Sequence, residues 1–388
     1  VTTVALDNPS SRSTRCDIVP VCGARDRLDF VRFGRQLYRG DPNFRSLPDL
    51  VEWNRLRPGG NAWFDHGDAQ LFVARRDDEI VGRISAQVDG EHLRVHDDGA
   101  GFFGFFECIN DQGVATRLLR AAEDWCRARG MERIRGPFSF SINEESGLLV
   151  DGFQYPNYVM MPHGKRYYEE LIEAAGFGGV QDLFAWRYHR EHPPEQVQQI
   201  ADAVSEHPGL VVRPVEMERL DDDLDTIMSI FNEAWSDNWG FVPLTEGEVE
   251  EVAEQFRLIA DPQLCLIAEV DGEPAAMAVA LPNIHESVAD LGGRLFPFGW
   301  ARLAYRLKRK PPKSFRQILL GVRKKFRGSS LGGLSLLLYV TIHRNAYARG
   351  YQEAEAGWTL ADNERINQGM EFMGAEHYKT YRVFEKEL

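Results

Sequence analysis

Apolar and polar positions along the chain predict one succession of elements that is then repeated. In the first run, residues 16–21 read as a strand. Residues 26–38 read as a helix, with Leu28, Val31 and Leu37 at loose helical spacing. Alternating runs at 71–75 and 80–88 predict a hairpin around Arg76-Asp77-Asp78-Glu79. Residues 101–108 (GFFGFFEC) form an aromatic strand and 114–129 a helix stopped by Gly130. A strand at 131–136, a segment without period at 136–163, a helix at 167–175 and a strand at 180–188 complete the run.

The second run has a strand at 210–215 and helices at 224–235 and 245–259. A hairpin (265–270, 275–281) follows, turning at Asp271-Gly272. Next come a strand at 318–322, a small-residue loop and a helix at 331–349 stopped by Gly350. A strand at 351–357, a helix at 362–372 and a last strand at 377–385 end the chain. The expectation is an α/β (α+β) chain of two domains of one fold, each a mixed, mostly antiparallel sheet flanked by helices. The first spans 16–190 with an insertion at 136–163, and the second spans 210–388. A linker at 191–209 joins them, its HREHPP start unable to continue strand or helix.

Length agrees, since 388 residues exceed what one core usually holds. A net charge of −14 argues against general nucleic-acid binding. Five cysteines without a CxxC pair argue against a disulfide scaffold or a metal site, and point to a reducing cytoplasm. Residues 1–15 are polar and Ser-rich, an expected disordered tail without the apolar core of a signal peptide.

The most specific signal is GVRKKFRGSSLGGLSLL at 321–337, where a strand ends, small residues turn the chain and a helix begins. Unsatisfied N–H groups at a helix start, approached through small residues, suit a pyrophosphate. The segment resembles the pyrophosphate loop of the GNAT (GCN5-related N-acetyltransferase) superfamily, Q/R-x-x-G-x-G/A. The matching positions are Arg327, Ser330 and Gly332, with serine in place of the middle glycine. Trp358 to Asn363, Met370, Gly374-Ala375 and the ending HYKTYRVFEKEL are similar to the family's Asn-led helix, glycine turn and last strand. The resemblance extends to bacterial N-acetyltransferases with tandem GNAT-like halves.

It implies an enzyme that uses acetyl-CoA or a longer acyl-CoA, with no metal. The cofactor would lie on Val322, Lys324, Lys325, Arg327, Gly328, Ser329, Ser330, Leu331, Gly332 and Asn363. The first half lacks the loop, and Glu107 and Asp111 put negative charge where phosphates would lie.

An amine acceptor must lose a proton before attacking a thioester, and a carboxylate meets that need. Glu353 and Glu355 share one face of the 351–357 strand, and Glu355 is the preferred base. The family's tyrosine, seven residues after the asparagine, is Met370 here, so Tyr378 or Tyr381 is the expected acid, Tyr378 first. Trp239 and Phe241 are expected to line the acceptor site. From the 136–163 insertion, Asn143, Glu145 and His163 are expected to join them.

From Arg294 to Arg327 there are twelve basic residues and no acidic one, mixed at first with Phe296, Phe298, Trp300 and Tyr305. Arg294 to Arg316 is a candidate contact with an anionic membrane, in a cytoplasmic protein peripheral to the inner membrane face. Three functions stay open. The first is transfer of an acyl group, acetyl foremost, to a small primary amine. The second is long-chain transfer to a lipid amine at a membrane, similar to bacterial ceramide synthesis. The third is a non-catalytic CoA-binding module.

Overall fold

The computed structural model describes residues 16–328 and 331–388, so the expected tail at 1–15 and the loop residues Ser329 and Ser330 lie outside the described residues. The first half opens with β1 (Cys16–Pro20), α1 (Ala24–Leu37), α2 (Asp49–Arg55), β2 (Gly67–Arg76), β3 (Glu79–Asp89) and α3 (Gly90–His96). It continues with β4 (Ala100–Cys108), α4 (Gln112–Arg127) and β5 (Arg133–Gly136). The insertion carries β6 (Phe138–Ser139), β7 (Glu145–Ser146) and β8 (Leu148–Asp151), and α5 (Tyr168–Glu173) and β9 (Gly178–Tyr188) follow.

The segment expected to be a linker holds α6 (Glu195–Ser205). Val197, Ala201 and Val204 repeat at helical spacing and are buried in the second core, against the helix that starts at Leu334. The prolines at 193–194 follow the end of β9 and sit just before this helix, where a missing N–H costs nothing.

The second half runs β10 (Leu210–Pro214), α7 (Leu220–Trp235), α8 (Glu246–Ile259), β11 (Cys265–Val270) and β12 (Glu273–Pro282). Then come α9 (His285–Val288), α10 (Gly299–Arg309), β13 (Ser314–Val322), α11 (Leu334–Ala348), β14 (Glu353–Leu360), α12 (Glu364–Phe372) and β15 (Glu376–Glu387). Turn chemistry fixes the hairpin register. Asp271 and Gly272 both take positive φ (52° and 79°), the twist that joins β11 to β12 without splaying them. Asp77 and Asp78 do the same between β2 and β3 (48° and 65°).

The mixed, mostly antiparallel sheet flanked by helices is as expected, but the two expected sheets are one. The strand order is β1-β2-β3-β4-β5-β15-β9-β14-β13-β12-β11-β10. Each half gives its last strand to the other, so β15 pairs with β5 of the first half and β9 with β14 of the second. The exchange has a local cause. β4 and β5 pair in parallel only over Ala100–Phe102, and β13 and β14 only over Ser314–Gln317. On the side away from these partners β5 and β14 each have a free edge, which the exchanged strand covers. The pair β15–β9 closes the seam between the halves.

Candidate functional site

In the second half β13 delivers the chain to the small-residue loop. Gly328 takes φ 81°, a left-handed conformation that favours glycine, and α11 begins at Leu334. Its N-cap is Gly333, so among the described residues no N-cap side chain takes the first N–H groups of α11, although the Leu334 N–H turns back to the Leu331 carbonyl (2.9 Å). A Cβ on Gly333 would lie 2.6 Å from Ile200, so close packing on α6 also requires glycine there. Leu331 is buried in the second core and anchors the loop. The corresponding helix start in the first half is filled. Asp111 caps α4 through the Val114 N–H (3.1 Å) and pairs with Arg76 (2.6 Å). The chemistry of the second-half loop therefore fits a pyrophosphate, and that of the first half excludes one.

The basic residues beside this loop have partners of their own. Lys324 pairs with Asp237 (2.8 Å), Lys325 with Glu273, and Arg327 braces the carbonyls of Val322 (2.8 Å) and Ala234 (3.3 Å). Asn363 caps α12 through the Ile366 N–H (3.3 Å), which commits its side-chain oxygen to the helix.

Over the paired stretch of β13 and β14, just before they diverge, two faces matter. On one, Ala354 and Ala356 look toward α11 and α12, and an apolar pocket of about 650 Å³, including its open mouth, lies there. Gln317, Tyr339, Met370 and Met373 line it with the two alanines. The Tyr339 hydroxyl donates to the Met370 sulfur at 3.4 Å, and burial pushes that phenol up to about 12. Tyr339 escaped the sequence reading because it sits in an apolar helix where a tyrosine reads as packing.

On the other face Arg316 and Glu355 are register partners. Glu355 is completely buried, Lys379 is 1% exposed and Arg316 4%. Tyr378 donates to Glu355 Oε2 at 2.5 Å, Lys379 Nζ lies 3.7 Å from the same oxygen, and Arg316 Nε lies 3.3 Å from Oε1. Burial lowers Lys379 and Arg316 from their ordinary values. Burial first, then the Glu355 charge, lifts Tyr378 well above the usual phenol range. Glu355 Oε1 and the enclosed Tyr381 hydroxyl have no hydrogen-bond partner among the described residues. The insertion covers this face, since Arg316 donates to the carbonyls of Val159 (3.2 Å) and Met160 (3.4 Å), and Lys379 to that of Pro156 (2.7 Å). Tyr158 and Arg187 hold the neighbouring Glu353 at 2.6 and 2.5 Å.

Glu355 and Tyr378 are thus together, while the expected acceptor residues are dispersed. Trp239 lines a smaller cavity of the first half with His92 and Phe138, 5.4 Å under Arg135. Phe241 packs on Phe231 and its carbonyl meets His96 at 2.8 Å. Asn143 donates to the Val242 carbonyl at 3.0 Å, a strut between the halves. Glu145 is held 3.6 Å from Arg55, yet its charge reaches Arg316 and Tyr381. His163 turns away, buried at 3.3 Å from Asp41, and burial lowers its pKa. Arg316 is withdrawn from the expected membrane-facing stretch, because its partner Glu355 is interior. Arg316 and Lys379 were missed because lone cations in a strand read as solvated, and only the register reveals their partner.

A family model described as "Acetyltransferase (GNAT) family" matches residues 36–137. The bacterial ceramide synthase of Caulobacter vibrioides is 40% identical over 380 residues, covering 97% of this chain and 99% of that protein. The chain belongs to the GNAT family. Protein YghO of Escherichia coli is 39% identical over 367 residues, 94% of this chain and 93% of that one. Among solved structures, a tandem GNAT protein from the clavulanic acid biosynthesis pathway superposes with a TM-score of 0.57 at 11% identity. It covers 96% of this chain and 98% of its own. This GNAT protein is accordingly an acyltransferase of tandem architecture, with a fold that draws acyl groups from CoA. Among the described residues no cluster of metal-ligating side chains occurs, and no helix is long and apolar enough to cross a membrane.

Proposed function

We propose that the chain transfers a long acyl chain from CoA to an amine carried on a lipid. The observation that carries this reading is the apolar pocket beside the diverging strands β13 and β14. Acetyl transfer needs only a closed wall at that point, whereas here two alanines and two methionines border an apolar space that opens at the surface. The 40% identical relative named bacterial ceramide synthase supports the same reading.

Bound at the loop 322–333, CoA supplies an acyl thioester. The chain's own residues divide the remaining work by face. Glu355, from the insertion side, takes the proton of the amine, whose nitrogen forms the new amide as the carbon–sulfur bond breaks. Tyr339, from the pocket side, gives its proton to the departing thiolate, in the place where Met370 cannot act. Tyr378 and Lys379 hold Oε2 of Glu355, while Oε1, in an ion pair with Arg316 but without a hydrogen bond among the described residues, is the oxygen that takes the proton.

Ala356→Leu tests the pocket. Each methylene denied its place is worth about 0.8 kcal/mol, so losing two or three lowers kcat/KM for palmitoyl-CoA by roughly tenfold or more. Acetyl-CoA turnover should stay within about threefold. Equal losses with both donors, in a folded variant, would remove the pocket from the reading.

A further inference from the structure

The connection between β12 and β13 is the one part of the second half whose chemistry the transfer reaction does not use. It leaves the sheet at Pro282, forms α9 and α10, and returns at Ser314. Phe296, Phe298, Trp300 and Tyr305 project from it with 72, 78, 57 and 59% of their surface exposed, four large aromatic side chains within ten residues. Water-exposed aromatics on that scale cost free energy, and a monomer in water has no use for them. Arg294, Arg309, Lys310 and Lys313 are exposed beside them.

Two further arginines fasten the element rather than face outward. Arg302 pairs with Asp290 at 3.1 Å, and Arg306 binds the same carboxylate (2.8 Å) and the Ser287 carbonyl (2.9 Å). Arg35 and Asp49 of the first half hold the segment's base through the backbone of Gly292 (3.0 Å) and Gly293 (2.9 Å). A fixed platform thus presents mixed aromatic and basic side chains.

We propose that residues 294–313 dock the protein on an anionic lipid bilayer, with the aromatics at the headgroup level and the cations on lipid phosphates. Charge decides the occupant. Residues 294–313 hold seven basic and no acidic residues in a chain of net −14, so this segment concentrates positive charge that an anionic surface attracts. Interfacial aromatics beside snorkelling cations suit a bilayer boundary, where one end of each side chain is apolar and the other wet. The platform also adjoins the pocket, for the Lys313 carbonyl accepts from the N–H of Gln352, a pocket-lining residue, at 2.7 Å. The inference names the surface on which the proposed lipid acceptor is met, and rests on that reading for its purpose.

The test uses the full chain, without CoA or amine, in flotation with vesicles of phosphatidylcholine alone or with one-third phosphatidylglycerol. Binding to the anionic vesicles is expected to exceed binding to the neutral ones by more than tenfold and to fall with salt. Arg309→Glu/Lys310→Glu should remove most of it, since each basic residue near such a surface is worth about 1 kcal/mol. Phe296→Ser/Phe298→Ser/Trp300→Ser should weaken binding to both vesicle types. Indifference to lipid charge, or variants that float like the parent, would overturn the inference. So would a self-associating chain that loses its oligomer, and no vesicle binding, on the same substitutions. Acyl transfer to a water-soluble amine without vesicles is read separately. Both variants should keep the parent rate, so failure of the reaction and failure of docking are distinct results.

Discussion

Replacing Glu355 with glutamine keeps shape and removes one negative charge from a site where almost nothing else can compensate. Arg316 and Lys379 flank the carboxylate at 3.3 and 3.7 Å, and water reaches none of the three to a useful extent. Breaking a buried ionic cluster on one side costs about 3–5 kcal/mol, because the cations stay buried and lose their counter-charge. For a chain of this size that lowers Tm by roughly 5–10 °C. The deficit depends on pH in a fixed direction. Burial holds Lys379 below its ordinary value in the native state, so between its folded and unfolded pKa the unfolded chain binds more protons. Stability therefore rises with pH in that window, and the variant's deficit narrows as pH rises toward the ordinary lysine range and Lys379 sheds its charge.

The same substitution probes catalysis, and a second change separates the two roles. Glu355→Gln/Lys379→Met removes one unpaired cation with the anion and should regain about half of the lost stability, read by thermal unfolding. If Glu355 accepts the proton of the amine, kcat falls about 10²–10⁴-fold in both variants with little change in KM for acyl-CoA. If the carboxylate only neutralises its neighbours, the double variant regains kcat along with Tm. That recovery would refute the base assignment and leave Glu355 as a structural anion.

Three further outcomes follow from the geometry. Tyr339→Phe should lower kcat about 10- to 100-fold while the KM for acyl-CoA stays put, because the hydroxyl is lost and the ring still fills the pocket; a parental kcat would discard it as the acid. Gly328→Val forces a branched residue to φ 81°, at a cost of about 1–2 kcal/mol, and should weaken CoA binding by calorimetry roughly tenfold, with unchanged affinity placing the phosphates elsewhere. His66 bridges Asp89 (3.3 Å) and Glu248 (3.4 Å) between the halves; burial opposes its charge, but the two carboxylates win and raise it to about 10. Its stabilisation is complete below the ordinary imidazole range and is lost as pH rises through 10, so the Tm gap between parent and His66→Gln should shrink from pH 6.5 to pH 10.

Local chemistry made much of the fold legible. Asp271-Gly272 announced its hairpin, Gly130 and Gly350 their helix ends, and the loop before Leu334 its open helix start. What escaped depends on partners distant in sequence. The first residues of β13 were absorbed into the basic stretch because Arg316 and Gln317 are polar, although both are buried. Their burial follows from Glu355 across the register and from the insertion above, neither of which a periodicity can reveal. The strand exchange escaped for the same reason. A last strand of either half carries the same alternation whichever edge it joins, and only the mutual openness of β5 and β14 selects the other half.

That exchange bears on how the proposed active centre is assembled. Tyr378, Lys379 and Tyr381 lie on β15, which closes the first half's sheet, yet their polar ends converge on Glu355 of the second half. The first half retains the packing that the family model detects over residues 36–137, while its helix start is filled by Asp111. Two selective demands are thereby separated along one chain. Packing keeps the first half a GNAT fold, because β5 must offer an edge to β15 and the insertion must lid the ionic cluster. Only the second half needs an open loop. A carboxylate placed at the start of α11 would copy the first half's arrangement and put charge against the phosphates, whereas removing Asp111 would unsettle α4 without creating a cradle, since the residues needed to surround an anion are missing there. The duplicated fold is thus held by packing in both halves, and the chemistry by a loop in one.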